Sequence, residues 1–488
     1  MKLNWKLCPS VNKYNQLLLK LAVAILLVGL AFRFLFFSSQ EFSSPDLETT
    51  PVVAKTDVAE ATPPDNFTID VSEYEDQNLE PEKEPDDEND TPQKENDTPQ
   101  KDSGEEKCDI FTGDWIPDQS GPVYTNESCA FIEGHQNCMR NGRPDTGYLY
   151  WRWKPRNCQL PQFNAEKLLS MMRNKTWALI GDSISRNHVQ SLLCMLSTVY
   201  DSMILFMLTL QMILTQVMLR LYNEYYNLLK KLLKFIMMRN SNLKHGSFPS
   251  YNFSLSVVWS PFLAKAAIFE DINGVSTSEV ELHLDKLDKK WTEQYFNIDY
   301  MIISTGKWFL KSAIYYENDT VVGCHYCPKR NLTELGFDYA YNKTLYHVMD
   351  FIATSKHKGL VFFRTSTPDH FENGEWHNGG TCKKTSPVNE GEIKIKDLHR
   401  ILRSIELAAF QDTATKAVEN GVKFKLLDFT NLLLLRPDGH PGPYRSFHPF
   451  AEDKNATVQN DCLHWCLPGP LDAWNDLIME MMVNALEN

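Results

Sequence analysis

The chain is 488 residues long and 43% hydrophobic, with 63 acidic against 49 basic side chains and a formal net charge of −14. That length can bury a sizeable core, and with no basic excess to meet a phosphate backbone, nucleic acid is not expected as a partner. The charge is unevenly spread, and its distribution divides the chain into segments.

Residues 1–16 form a short head carrying Lys2, Lys6 and Lys13, and residues 17–37 are apolar apart from Lys20 and Arg33. A run of that length spans the hydrocarbon layer of a bilayer, and an arginine near its end can snorkel. The basic head predicts a cytosolic N-terminus with all later residues translocated. Phe34, Leu35, Phe36 and Phe37 offer no small-residue cleavage site, so an uncleaved transmembrane signal anchor is expected.

Residues 38–107 are rich in Pro, Asp, Glu and Thr, with the heptapeptide at 88–94 repeated at 95–101. They lack the aromatic and branched apolar content needed for a core and predict a disordered acidic stem. Residues 46–107 hold 21 acids against 5 bases, so the rest of the chain is close to neutral. The acidic total therefore describes a tether and says little about the ligand.

Ten of the 11 cysteines and a set of Asn-x-Ser/Thr sequons, from Asn66 to Asn455, lie beyond the predicted anchor. Both fit an oxidising, glycosylating compartment. Residues 108–161, rich in Cys and Trp, predict a disulfide-tied, loop-rich N-terminal lobe, and residues 162–488 a catalytic α/β domain.

Within that domain, Thr176-Trp177-Ala178-Leu179-Ile180 reads as a buried strand ended by Gly181, and Val189, Leu192, Leu193 and Leu196 place one apolar stripe on a following helix. Residues 201–247 do not fit and predict an irregular, partly helical insertion. A second membrane crossing there would separate Ser183 from His464. Further strands are expected at 254–259, 300–304, 360–363 and 422–427, and helical patterns at Leu398-Ile401-Leu402-Ile405 and Leu471-Trp474-Ile478-Met481. Strands alternating with helices predict a largely parallel sheet covered on both faces. Cys324 and Cys327 form a Cys-x-x-Cys that fits a local disulfide, a redox pair or half of a zinc site; with no second matching pair, no metal is expected.

Gly181-Asp182-Ser183 puts a serine at the carboxyl end of a strand and the start of a helix, where open α/β sheets carry reactive groups. Asp461-Cys462-Leu463-His464 can complete it. At a spacing of three, the carboxylate can accept from Nδ1–H while Nε2 faces a serine hydroxyl. The pair predicts a Ser183, Asp461 and His464 acyl-transfer triad, since a neutral serine needs a base.

These motifs, together with Cys108-Asp109-Ile110-Phe111-Thr112-Gly113-Asp114-Trp115, Trp151-Arg152-Trp153-Lys154-Pro155 and Asp461 through Gly469, resemble the plant trichome birefringence-like polysaccharide O-acetyltransferases. Ser304-Thr305-Gly306-Lys307-Trp308-Phe309, Phe371 through Trp376 and Arg436 through Pro441 look most like the members that acetylate xyloglucan side chains. The resemblance implies an SGNH/GDSL-like three-layer α/β/α core in a single-pass type II protein of the Golgi membrane, with the catalytic domain lumenal. It implies acetyl transfer through an acetyl-serine to a hemicellulose hydroxyl. No tightly bound cofactor is implied, but an acetyl donor is required, either acetyl-CoA or a relayed acetyl group, with an acetyl-donor transporter or Golgi complex members as partners.

The family's disulfides imply Cys108 with Cys158, Cys129 with Cys194, Cys138 with Cys466 and Cys382 with Cys462. Gly306 joins Ser183 as a candidate oxyanion donor. Asn187 is a candidate site contact, and Arg186 reads equally well as a structural ion-pair partner. Trp308 and Trp465 are candidate sugar platforms, and His440 a candidate acceptor-site residue. Two rivals share the sequence features: a carbohydrate acetylesterase with the same triad, and a non-catalytic wall-polysaccharide binder.

Overall fold

The computed structural model describes residues 108–214, 245–270 and 276–487. The expected head, anchor and stem lie outside the described residues. Among the described residues, no helix is long and apolar enough to cross a membrane.

In chain order the strands are β1 (Gly113–Pro117), β2 (Trp151–Pro155), β3 (Thr176–Gly181), β4 (His245–Phe248), β5 (Phe253–Trp259), β6 (Ala264–Ala267), β7 (Val280–Leu287), β8 (Tyr300–Ile303), β9 (Ala313–Glu317), β10 (Thr320–His325), β11 (Leu360–Arg364) and β12 (Lys423–Leu427). The helices that cover them are α1 (Ala165–Met171), α2 (Ser183–Leu214), α3 (Gly336–Thr354), α4 (Asp397–Glu419) and α5 (Asp472–Glu487).

The central sheet has the order β12-β11-β8-β3-β5-β4. All neighbours are parallel except the edge pair β4 and β5. Successive side chains on a strand point to opposite faces. Accordingly, Trp177 and Leu179 of β3 and Phe362 of β11 pack with Val189, Leu192 and Leu196 of α2 and with Trp474, Leu477 and Ile478 of α5. Ala178, Ile180 and Phe363 pack instead with Tyr341, Leu345 and Val348 of α3 and with Leu402 and Ala409 of α4. Both faces are thus buried, each large apolar side chain contributing about 1.5–3 kcal/mol. This is the expected three-layer core.

Three features refine the expectation. Residues 201–214 of the expected insertion continue the regular helix α2, and its last residues belong to β4, which pairs with β5 along the sheet edge; the intervening residues lie outside the described ones. A second, four-stranded mixed sheet, β10-β9-β7-β6, went unread in the sequence, because its strands are half polar and carry no continuous apolar run. The loop-rich N-terminal lobe also holds one strand pair. Its β1 and β2 pair antiparallel, with Trp115 and Trp153 edge to face at 5.7 Å and the Trp115 Nε1–H donating to the Leu432 carbonyl at 2.9 Å.

Candidate active site

Strand β3 ends on Gly181 for a steric reason. A Cβ there would lie 2.3 Å from the Ser304 carbonyl oxygen and 2.7 Å from Ser185 Oγ, so only glycine lets β3 and the end of β8 approach this closely. Asp182 then turns the chain, its Oδ1 accepting the Ile184 N–H at 3.0 Å, and α2 begins at Ser183. A serine hydroxyl is thereby held at the carboxyl edge of the sheet, at a helix N-terminus where backbone N–H groups are unpaired within the helix.

The partner loop is fixed from several directions. Asp461 exchanges two backbone hydrogen bonds with Gly442, at 2.8 and 3.0 Å. Its Oδ1 accepts the Leu463 and His464 N–H groups at 3.1 and 2.9 Å, and its Oδ2 faces His464 Nδ1 at 2.8 Å. His464 Nε2 lies 2.8 Å from Ser183 Oγ. Burial of Asp461 opposes its ionisation. The His464 ring, the hydrogen bonds and Arg445 outweigh burial and hold the carboxyl well below the usual carboxylate range. An anionic Asp461 selects the Nδ1–H tautomer of His464, which leaves Nε2 free to accept the serine proton. Ser183, His464 and Asp461 therefore form one hydrogen-bonded row.

The disulfides Cys108–Cys158, Cys129–Cys194, Cys138–Cys466 and Cys382–Cys462 are all present. The last two flank the Asp461-to-His464 turn. Arg143 of the N-terminal lobe adds donors to the carbonyls of His440 and Asp438 at 2.8 and 2.7 Å. Cys324 and Cys327 are bonded to each other. Glu334 adjoins them, but with both sulfurs engaged it stands as a lone carboxylate for any metal.

The other candidates separate into those at the cavity and those behind it. Gly306 and Trp308 line a small cavity, open to solvent, together with Ser183, Asp182, Leu463 and Arg364. A Cβ at Gly306 would lie 2.8 Å from that of Ser366, which explains the glycine. Asn187 is not at the cavity; its side chain is fully buried against the Trp465 backbone. Arg186 stacks its guanidinium over the Trp259 ring at 4.4 Å.

Two expectations are corrected. Trp465 is fully buried and packs on His440 with ring centroids 4.1 Å apart, so it is core and offers no face to a sugar. His440 is also buried. Its Nδ1 lies 2.7 Å from the His464 carbonyl oxygen and its Nε2 2.7 Å from His370 Nδ1, so it props the His464 backbone from behind. Burial and the neighbouring His370 keep the His440 ring well below the usual histidine range, and burial pushes His370 down to about 4.

Lys307, Arg364, Ser366 and Thr367 also line the cavity and were not singled out from sequence. Lys307 is buried against Asp369, which also binds Lys396 at 2.8 Å. Burial lowers the Lys307 ammonium and the Asp369 carboxylate counters it. Their sequence signal was position, at or just past the ends of β8 and β11.

Residues 160–481 match the family model described as a GDSL/SGNH-like acyl-esterase family found in Pmr5 and Cas1p, and residues 106–159 match the PMR5 N-terminal domain. The chain is 49% identical to "Protein trichome birefringence-like 23" of Arabidopsis thaliana, across 99% of both chains. The chain belongs to the trichome birefringence-like family. Among other relatives of this trichome birefringence-like protein, "Protein trichome birefringence-like 24" of Arabidopsis thaliana is 51% identical across 98% of both chains. "Xyloglucan O-acetyltransferase 1" of Populus trichocarpa is 38% identical across 78% of this chain and 82% of its own.

Proposed function

We propose that this trichome birefringence-like protein is an O-acetyltransferase that carries acetyl on Ser183 and passes it to a hydroxyl of a plant cell-wall polysaccharide, with the galactose of xyloglucan side chains as acceptor. The observation that carries this reading is the row from Asp461 through His464 to Ser183, with 2.8 Å at each step. The relatives named as xyloglucan O-acetyltransferases, at 38% identity, support the acceptor.

In this reading His464 removes the Ser183 proton as Oγ attacks the acetyl carbonyl, then returns it to the leaving group. The sugar hydroxyl repeats the sequence in reverse, activated by the same imidazole. Asp461 holds the ring and stabilises its protonated form. The donor is acetyl-CoA or a relayed acetyl group. The protein acts in the Golgi as a single-pass type II membrane protein with this domain lumenal, a setting supported by the apolar run at 17–37 and by the five disulfides.

The test is to incubate the lumenal region with an acetyl donor and oligosaccharides of xyloglucan, xylan, mannan and pectin, then map acetyl positions. Acetyl gained on xyloglucan galactose supports the reading. Acetate released from pre-acetylated polysaccharide, without gain on any acceptor, replaces it with an esterase. Polysaccharide binding with neither reaction, unchanged by Ser183→Ala, replaces it with a binder.

A further inference from the structure

Arg364 closes β11 at the cavity that holds Ser183 and Gly306, and is 2% exposed. Its Nη2–H donates to Ser304 Oγ, and its guanidinium lies 4.9 Å from the Trp474 ring centroid. Its Nε and Nη1 are buried without a hydrogen-bond partner, and the carboxyls of Asp182 and Glu406 offset its charge through space. Arg436, equally buried, shows the contrast. Its Nε and Nη2 bind Asp438 at 2.8 and 3.0 Å, and Nη2 also reaches the Tyr148 carbonyl. A buried charged donor left unpaired is costly, and a fold that keeps one in a reactive cavity holds it ready for an incoming oxygen.

We infer that Arg364 is a further catalytic residue, donating through Nε–H or Nη1–H to the acyl oxygen as negative charge develops on it. The inference rests on the acyl-serine reading above. When Ser183 Oγ bonds to the carbonyl carbon of an acetyl ester or thioester, the carbonyl π pair moves onto oxygen and the hydroxyl proton passes to His464. Collapse restores the carbonyl and breaks the bond to the leaving oxygen or sulfur, which takes the proton from His464. Arg364 keeps its own protons throughout. Burial lowers its guanidinium only to about 10, so it remains a cation at neutral pH. A neutral acetyl carbonyl gains little from such a group, whereas the oxyanion gains much, so the contact favours the transition state.

Arg364→Met and Arg364→Lys are expected to lose about 10²-fold or more in kcat with KM unchanged, the size seen for removal of one oxyanion donor. Arg364→Met should also melt no lower than the parent, since it removes an unsatisfied buried charge. An unchanged kcat in a folded variant overturns the inference. The second measurement needs no variant: the full-length parent chain is phosphonylated with a methyl fluorophosphonate and its structure determined. A phosphonyl oxygen within hydrogen-bonding reach of Arg364 Nε or Nη1 is expected. A phosphonyl group on Ser183 bound only by backbone N–H groups overturns the role of Arg364 alone, while failure of Ser183 to react overturns the acyl-serine reading and this inference with it.

Discussion

Asn187 and Trp465 are joined by two hydrogen bonds of opposite sense, the Trp465 N–H donating to Asn187 Oδ1 at 2.8 Å and Asn187 Nδ2 donating to the Trp465 carbonyl at 3.2 Å. One amide thus fastens the first turn of α2 to the residue after His464, across 278 positions of chain. Removing it leaves a buried N–H and a buried carbonyl unpaired. Asn187→Ala is expected to lower unfolding free energy by about 2–3 kcal/mol and to slow acetyl-enzyme formation. Denaturant titration beside a single-turnover assay checks both, and normal turnover in the weakened protein would make the link purely structural.

Ser183→Ala should abolish the acetyl adduct seen by intact-protein mass after incubation with donor. Persistence of the adduct would place the nucleophile elsewhere. Asp461→Asn should keep the fold but present the wrong His464 tautomer, with turnover falling by about 10⁴.

Asp461 also bears on stability in acid. Its folded carboxyl titrates below its unfolded value of about 3.9, so its contribution is present above that pH and is lost as the pH falls through the lower folded value. The melting temperature of the parent should therefore fall more steeply below about pH 4 than that of Asp461→Asn, and parallel acid melts compare them directly.

Glu406 carries the opposite sign. Burial pushes its carboxyl up to about 8, although Tyr341 and the Ser366 N–H both donate to its Oε1. A raised folded value means that stability falls as pH rises from the unfolded value of about 4.3 towards 8. Glu406→Gln keeps an acceptor for both donors and cannot ionise. It should gain about 1–3 kcal/mol over the parent near neutral pH and nothing near pH 4, which thermal melts at the two pH values will show.

The disulfides Cys138–Cys466 and Cys382–Cys462 flank His464 and Asp461. Replacing Cys382 and Cys462 together with Ser should cost turnover more than it costs stability, by about 10²-fold if the imidazole shifts by an ångström. Equal losses from the distant pair Cys324 and Cys327 would show that the effect is general loosening.

How much was legible follows from where the information sits. The strand ending at Gly181 and the stripe Val189, Leu192, Leu193 and Leu196 are local patterns, and both are found in β3 and α2. α3 was missed although Phe337, Ala340, Tyr341, Thr344, Leu345, Val348 and Ile352 carry the helical repeat, because its tyrosines and charges masked it. Trp308 and Trp465 looked alike in sequence, each a tryptophan beside a motif. One lines the cavity and the other is sealed behind His440.

The sequence by itself determined the turn at Ser183, the spacing that lets Asp461 reach the His464 ring, and the segments of the sheet, because backbone sterics and side-chain periodicity act between near neighbours along the chain. Only the tertiary structure decided that Ser183 and His464 meet, that Asn187 and His440 act from behind the site, and that Arg364 lines the cavity while two of its donors are buried and unpaired. Burial and hydrogen-bond satisfaction are set by residues tens to hundreds of positions away, and no local pattern records them.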